Sequence, residues 1–324
     1  MIQHIKYPSI DHFRHVIRNI KASCKYFNHE LPTVTFRGTV KVHGTNASVV
    51  MTDNNVIYPQ SKERVISIEQ DNAGFAFFTS VKQQAITDLF AKVKAHHHHE
   101  ITDPITIYGE WCGGNIQKGV GITGLPKMFI IFGCRIGDAW VDSSYLQDNE
   151  NNIFNIEQFP TYSVTVDFNN PEESIEEINS YTIAVENNCP VAKFFGVDGI
   201  GEGIVWKATT DIGSFIFKVK GEKHSATKVK VLTPVDTVKL ANIKKFVEYA
   251  VTENRLNQAV EQVFTAQSRS PDIKNTSDFL RWVINDVIKE ESDTIHDSNL
   301  DIKAVNNAVA AHAKRWWMDY LKSL

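Results

Sequence analysis

The chain has 324 residues, a mass of 36.6 kDa and a formal net charge of −4, a length that suits two domains and a large buried core. No apolar run approaches the ~20 residues of a membrane span, and the amino-terminal segment is too interrupted by polar residues to read as a signal peptide. Cysteines at 24, 112, 134 and 189 form no Cys-x-x-Cys pair, which points to a reducing cytoplasm and away from structural zinc or a disulfide framework. The acidic balance makes no global case for nucleic-acid binding. A local case rests on Lys207, Lys218, Lys220, Lys223, Lys228 and Lys230, set against only Asp211 and Glu222; a sheet edge guarded by lysines is the plain alternative.

In chain order, residues 9–24 place Ile10, Phe13, Val16, Ile17 and Ile20 at helical spacing behind Ser9, predicting an amphipathic helix that packs. Residues 33–41 alternate, with Val34, Phe36 and Gly38 on one face and Thr35, Arg37, Thr39 and Lys41 on the other, as in a half-buried strand. Lys41 leaves that strand on its polar face, followed by Gly44 and Asn46. A lysine at a sheet edge, its stem packed and its amine partly desolvated, suits nucleophilic attack on the α-phosphate of a nucleotide. Gly44 would let backbone approach the ligand, and Asn46 offers both a donor and an acceptor. Taken alone the pattern is weak, and a strand ending in an exposed lysine explains it about as well.

A second strand over 47–52, a turn at Asp53-Asn54-Asn55 and a third strand over 56–60 follow. They lead to Lys62 and Arg64, which on a strand would share a face and reach one anionic group. Residues 80–95 read as a helix ending in His96–His99. Adjacent histidines in a loop project in different directions, which disfavours a metal site. The strand at 105–111 puts Thr106, Tyr108 and Glu110 on one face, making Glu110 a candidate site carboxylate. In the strand at 129–132, Phe132 could stack on a purine, although core packing is the commoner explanation of such a residue. The acidic, asparagine-rich stretch 147–190, with a helix over 171–186, reads as a surface insertion. Glycines flank Glu202 just before an apolar strand, which suits a metal or ribose contact better than a core position. Along 215–220, Lys218 and Lys220 lie two apart on one face and aim at one spot, as neutralising a triphosphate would require. After Pro234 only helical periods remain, at 236–264, 276–291 and 299–323, predicting an all-helical domain.

With these pieces in order, the chain resembles the covalent nucleotidyltransferase superfamily of ATP-dependent ligases and capping enzymes. Within it, the chain is most similar to the phage RNA ligase 2 family, which includes the RNA-editing ligases. The resemblance is carried by KVHGTN at 41–46, YGEW at 108–111, FIIF at 129–132, EGIVWK at 202–207 and FKVK at 217–220. VTENRLN at 251–257 and INDVIKEE at 284–291 are similar to that family's helical tail. Two positions depart from the family pattern: Lys62 stands where an arginine is usual, with Arg64 two residues on, and Gly133 follows Phe132 where aspartate is common.

The resemblance implies an α+β, mostly antiparallel-sheet, ATP-grasp-like ligase domain over 1–234, followed by a small all-helical domain over 235–324. It implies a lysyl-AMP on Lys41, with the nucleotide held by Val40, Val42, His43, Asn46 and either Lys62 or Arg64. Glu110 would take a ribose hydroxyl, Phe132 would stack on adenine, Glu202 would help hold Mg²⁺ or Mn²⁺, and Lys218 and Lys220 would meet the α-phosphate. Arg255 and Asp286 would support steps after adenylylation. The implied activity is ATP-dependent sealing of a 3′-hydroxyl to a 5′-phosphate in RNA, as a nicked duplex, free ends or an RNA/DNA hybrid. The enzyme would be a monomer with no membrane partner, in the host cytoplasm if phage-encoded. The rival readings are a GTP-using capping-type nucleotidyltransferase, which the helical tail disfavours, and a non-catalytic RNA-end or adenylate-binding protein, which the retained charged residues disfavour.

Overall fold

Strand alternation and helical stripes account for most of the elements in a computed structural model that describes residues 2–97, 101–224, 242–264 and 269–324. The expected boundary at residue 234 lies outside them, as do Lys228, Lys230, His98 and His99. The described residues form two compact units, one from Met1–Asp11, Thr35–Thr165 and Ser180–Lys218, the other from His12–Val34, Val166–Asn179 and Val219–Leu324.

The first unit is built on two sheets. One has β1 (Thr33–Lys41), β8 (Thr161–Asp167), β9 (Gly203–Thr210) and β10 (Gly213–Lys220) in the order β10-β9-β1-β8. The other has β2 (Thr45–Met51), β3 (Ile57–Ser61), β4 (Ile105–Cys112), β5 (Met128–Ile136) and β6 (Ala139–Val141) in the order β3-β2-β4-β5-β6, with β7 (Ile153–Asn155) parallel to β5. The β2–β3 hairpin closes where Asn55, at φ 60°, donates its N–H to the Thr52 carbonyl at 3.0 Å; asparagine tolerates that left-handed conformation.

Helices α2 (Phe75–Val81) and α3 (Gln83–His96) cover one face of this sheet. Ala85, Ile86, Leu89, Phe90 and Val93, on one side of α3, are buried with Val49, Ile107, Trp111 and Phe129. The single helix expected over 80–95 is thus two helices, meeting at Lys82, whose ψ of 28° is not helical. Asp71 anchors the start of α2 from outside, its carboxylate accepting from the Ala76 and Phe77 N–H groups at 2.7 and 2.9 Å, where the helix dipole favours negative charge. Residues 147–190 are not a surface insertion, because they supply β7 and the edge strand β8 before α4 (Ile175–Asn187) and α5 (Pro190–Phe194). Val164, Val166 and Val185 from this stretch are buried.

The second unit is helical. Its core joins α6 (Ile243–Ala250), α7 (Glu253–Val263), α8 (Thr276–Asp297) and α9 (Ile302–Lys322). Phe279, Val283 and Val287 on α8 and Val305, Val309, Ala313 and Trp317 on α9 recur every fourth residue, giving each helix one apolar stripe. Trp317 stacks between Phe264 and Phe279, with ring centroids 5.2 and 4.5 Å away. The helix expected over 236–264 breaks at Val251–Thr252, where the Thr252 hydroxyl caps α7 by accepting from the Arg255 N–H at 3.3 Å. Helix α1 (Phe13–Phe27) belongs to the same unit. It begins after His12 without a side-chain cap, later than Ser9 predicts, and buries Phe13, Val16, Ile20 and Cys24. Among the described residues, no helix is long and apolar enough to cross a membrane.

Candidate active site

Strand register assembles the site. β1 pairs antiparallel with β9 so that its last residue, Lys41, lies opposite Gly203, and Glu202 therefore arrives beside the lysine. Lys41 Nζ donates to Glu202 Oε2 at 2.8 Å, and His43 Nδ1 lies 3.2 Å from the same oxygen. Glu202 is 2% exposed, whereas the Lys41 side chain keeps 19% of its surface open. In the second sheet, β2 runs against β4 with Asn46 opposite Glu110. The connecting turn is pinned on both sides: Gly44 N–H donates to Glu110 Oε1 at 3.0 Å, and Gln117 Nε2 donates to the Gly44 carbonyl at 3.1 Å. The glycine at 44 is required here for a reason other than ligand approach, since a Cβ would collide with the Trp111 carbonyl and Cys112 Cβ on β4.

Phe132 owes its position to a bulge. Tyr108 pairs with Gly133, but the next residue, Gly109, pairs with Ile131, so Phe132 is skipped in the ladder. A Cβ at Gly109 would sit 2.5 Å from the Phe129 ring and 2.6 Å from the Ile130 carbonyl, so only glycine fits beneath the bulge. Bulges of this kind re-aim a side chain. Here the flanking Ile131 and Gly133 are buried while Phe132 stays half-buried and enters a cleft with Lys41, Val40, Val42, Asn46 and Glu110. The cleft encloses about 520 Å³ between its walls, part of it open to solvent.

Tyr7 and Ile156, which nothing in the sequence points to, and Lys207, expected there only as part of a cationic stripe, complete the walls. Tyr7 meets Phe132 edge-on, with centroids 5.1 Å apart. It is carried there by an amino-terminal strand of chain bound to β3, where Ile5 N–H donates to Gln60 Oε1 at 3.0 Å and Tyr58 OH donates to the Gln3 carbonyl at 2.7 Å. Lys207 reaches in from β9, its Nζ donating to the Phe132 carbonyl at 3.0 Å and lying 5.8 Å from the Phe132 ring centroid. Burial pulls the Lys207 pKa down, against the opposing charge of Glu157. Lys207 therefore does not belong to a surface stripe running on to Lys230. Ile156 closes the apolar side. Alternation marks Lys207 as polar-face, but nothing local in the sequence marks Tyr7.

The two carboxylates of the site are coupled. Glu110 is pushed up to about 7, first by burial and then by the negative charge of Glu202, while Lys41, His43 and the Gly44 N–H pull it down. Two buried carboxylates facing one amine would gain from a bound cation or from a hydroxyl that donates to them.

The lining of the cleft leaves out the other expected site residues, as it leaves out Glu202 and His43. β3 ends at Ser61, and a tight turn with Ser61 N–H donating to the Arg64 carbonyl at 2.8 Å removes the shared strand face proposed for Lys62 and Arg64. Arg64 Nη1 donates instead to the Gln70 carbonyl at 2.7 Å. Lys218 and Lys220 sit on β10, which borders β9 rather than β1, and the cleft lining does not include them. Arg255 and Asp286, in the helical unit, pair with each other at 2.8 Å. His96 stacks on Tyr145 with centroids 4.3 Å apart, and among the described residues no three His, Cys, Asp or Glu side chains cluster to hold a metal.

A family model described as RNA ligase matches residues 34–220. The chain belongs to the RNA ligase family. The matched stretch runs from β1 to β10 and contains Lys41, Glu110, Phe132 and Glu202. Similar solved structures include Naegleria gruberi RNA ligase with PPi, at 18% identity and TM-score 0.45, covering 67% of this chain and 56% of that one. A mutant of that ligase with AMP and Mn gives 16% identity and TM-score 0.43, covering 66% and 55%. An archaeal ATP-dependent RNA ligase gives 14% identity and TM-score 0.40, covering 90% and 65%. The chain thus spans a little over half the length of the Naegleria ligase chains it matches. No curated protein sequence matches it. Within the RNA ligase family, the residue roles proposed below rest on this chain's own geometry.

Proposed function

We propose that this protein is an ATP-dependent RNA ligase of the RNA ligase 2 type, joining a 3′-hydroxyl to a 5′-phosphate through a lysyl-AMP. The observation that carries this reading is the position of Lys41 Nζ, which reaches a cleft walled by a bulged aromatic ring while being held 2.8 Å from a buried glutamate. An adenine would stack on Phe132 with Tyr7 bracing the ring edge-on. Glu110, opposite Asn46, would accept a ribose hydroxyl.

In the first step Lys41 Nζ, having left Glu202 and lost a proton, attacks the α-phosphorus; a P–N bond forms, the α–β P–O bond breaks and pyrophosphate departs. In the second step a 5′-phosphate oxygen displaces Nζ from the AMP phosphorus, and the amine regains its proton. In the third step the 3′-hydroxyl attacks the 5′-phosphorus and AMP leaves. Positioning and charge compensation carry most of the catalysis in such displacements.

The donor set fits a hard divalent cation. Glu202 and Glu110 offer carboxylate oxygens, and Mg²⁺ or Mn²⁺ commonly takes one or two of these with substrate phosphates completing the shell. When bound, the ion screens the phosphate charge. Lys218 and Lys220 of β10 are the cations proposed for the α-phosphate, with Lys62 or Arg64 on the remaining phosphates.

Incubation with α-labelled ATP or GTP and Mg²⁺ or Mn²⁺, followed by denaturing electrophoresis, tests the reading. The expected result is label retained from ATP alone and none with Lys41→Ala. Label from GTP would point to capping chemistry, and none from either nucleotide to a binding module.

A further inference from the structure

Helix α1 carries Arg14, Arg18, Lys21 and Lys25 and no carboxylate, in a chain with 34 basic and 38 acidic residues. Its buried face is fully accounted for by Phe13, Val16, Ile20 and Cys24, and Arg14 is bound to Glu291 at 3.1 Å. The remaining three cations recur at spacings of three and four, so they line one face of the helix, spanning about 10 Å of its axis. All three are exposed, and none has a carboxylate partner among the described residues.

Just past the last of these cations stands Tyr26, 83% exposed, and next to it Phe27, 61% exposed, which continues the apolar stripe one turn beyond Cys24. Their rings meet edge-on at 4.9 Å and 88°, leaving faces open, and His29 lies 6.1 Å beyond Phe27. A solvated face explains cations, and Lys25 in the last turn complements the helix dipole. Neither explains the exposed ring of Tyr26 beside Lys25, at the end of a stripe that excludes every acid; Glu30 is the first carboxylate after it.

We propose that this face of α1 binds an unpaired stretch of RNA, with Arg18, Lys21 and Lys25 on successive phosphates and a base stacked on Tyr26, whose ring Phe27 braces edge-on. Cations that track a backbone, followed by an aromatic platform, are how single strands are held without sequence preference. The proposal rests on RNA being the substrate. It adds that the protein grips single-stranded RNA flanking the ends being joined, at a surface that no step at Lys41 uses.

The test uses the full chain and a fluorescein-labelled single-stranded oligouridylate, read by anisotropy across a salt series. Arg18→Ala/Lys21→Ala/Lys25→Ala should bind about tenfold or more weakly at low salt, and should flatten the slope of log affinity against log salt by about 2, as three lost phosphate contacts require. Tyr26→Ser/Phe27→Ser should weaken binding by about 10- to 100-fold with the slope unchanged. All of these positions are exposed, and unchanged far-UV circular dichroism will show that the variants fold.

Both effects are required: unaltered RNA affinity in either variant overturns the proposal. A loss of binding to phosphatidylserine vesicles with RNA binding intact also overturns it, in favour of a membrane surface. Labelling from ATP is measured in parallel and should match the unaltered chain in both variants. If the unaltered chain takes no label, the ligase reading fails, while the salt series still decides the fate of α1.

Discussion

Among the described residues each unit holds a cluster of buried charge, and the two differ in access. At the cleft, Lys41 pairs with Glu202 but keeps a path to solvent, His43 shares the same oxygen, and Glu110 waits nearby with its proton half held near neutrality. In the helical unit, Glu291 accepts from Arg14 at 3.1 Å, Tyr249 at 3.0 Å and Thr294 at 3.3 Å, while Arg255 binds Asp286 at 2.8 Å and the Ala250 carbonyl. Arg255 is wholly buried and Glu291 nearly so, and α8 departs from helical geometry at Glu291 itself. Closely similar groups thus form a poised site where one partner can be drawn away by a ligand, and a clamp between helices where none can.

Breaking the clamp should give the largest effect on stability. Arg255→Ala leaves Asp286 without its guanidinium and Glu291 with that of Arg14 alone, and removing one member of a buried pair costs about 3–5 kcal/mol. Urea unfolding should show that loss while Lys41 still takes label from ATP. A stable Arg255→Ala protein that labels but does not seal would instead assign Arg255 to the substrate and erase the contrast.

At the cleft, Phe132→Ala should raise KM for ATP in the labelling reaction by about 10- to 100-fold, the worth of one stacked base at about 1–3 kcal/mol. Stability should change little by comparison, because Phe132 is only half-buried.

The smallest expected effect is on pH dependence. Glu110 has its carboxyl raised from 4.5 to about 7, so between those values the folded state holds a proton that the unfolded state has lost. Its contribution to stability therefore declines as pH rises through that window and is fully unfavourable above it. Glu110→Gln should remove this term, making the variant more stable than the parent by about 1–2 kcal/mol at pH 8 and no more stable at pH 4. In the parent, labelling should rise with pH through about 7 as the carboxylate forms; the variant should lose that limb.

How much of this was legible in the sequence follows from the range of the forces involved. Period-two alternation placed β1 from Thr33 to Lys41, and motif spacing pointed to Glu110 and Glu202, because register converts sequence spacing into proximity. The half-exposed Phe132 was ambiguous because its bulge arises from tight packing at Gly109, which alternation cannot reveal. The steric need for glycine at 44 is invisible locally, since its neighbour, the Trp111 carbonyl, comes from a strand more than sixty residues away. Lys62 and Arg64 were read as strand residues where a four-residue turn intervenes. The helix at the start of the chain was read for its apolar stripe alone, and its polar face carried the more informative pattern.

Tyr7 reaches the cleft only because residues 3–5 are laced to Tyr58, Gln60 and Ser61 of β3. Deleting residues 3–5, or fusing a bulky label that peels them away, should therefore unseat a wall of the cleft and leave Phe132 without its aromatic brace. Any reporter or purification handle is better attached away from these residues.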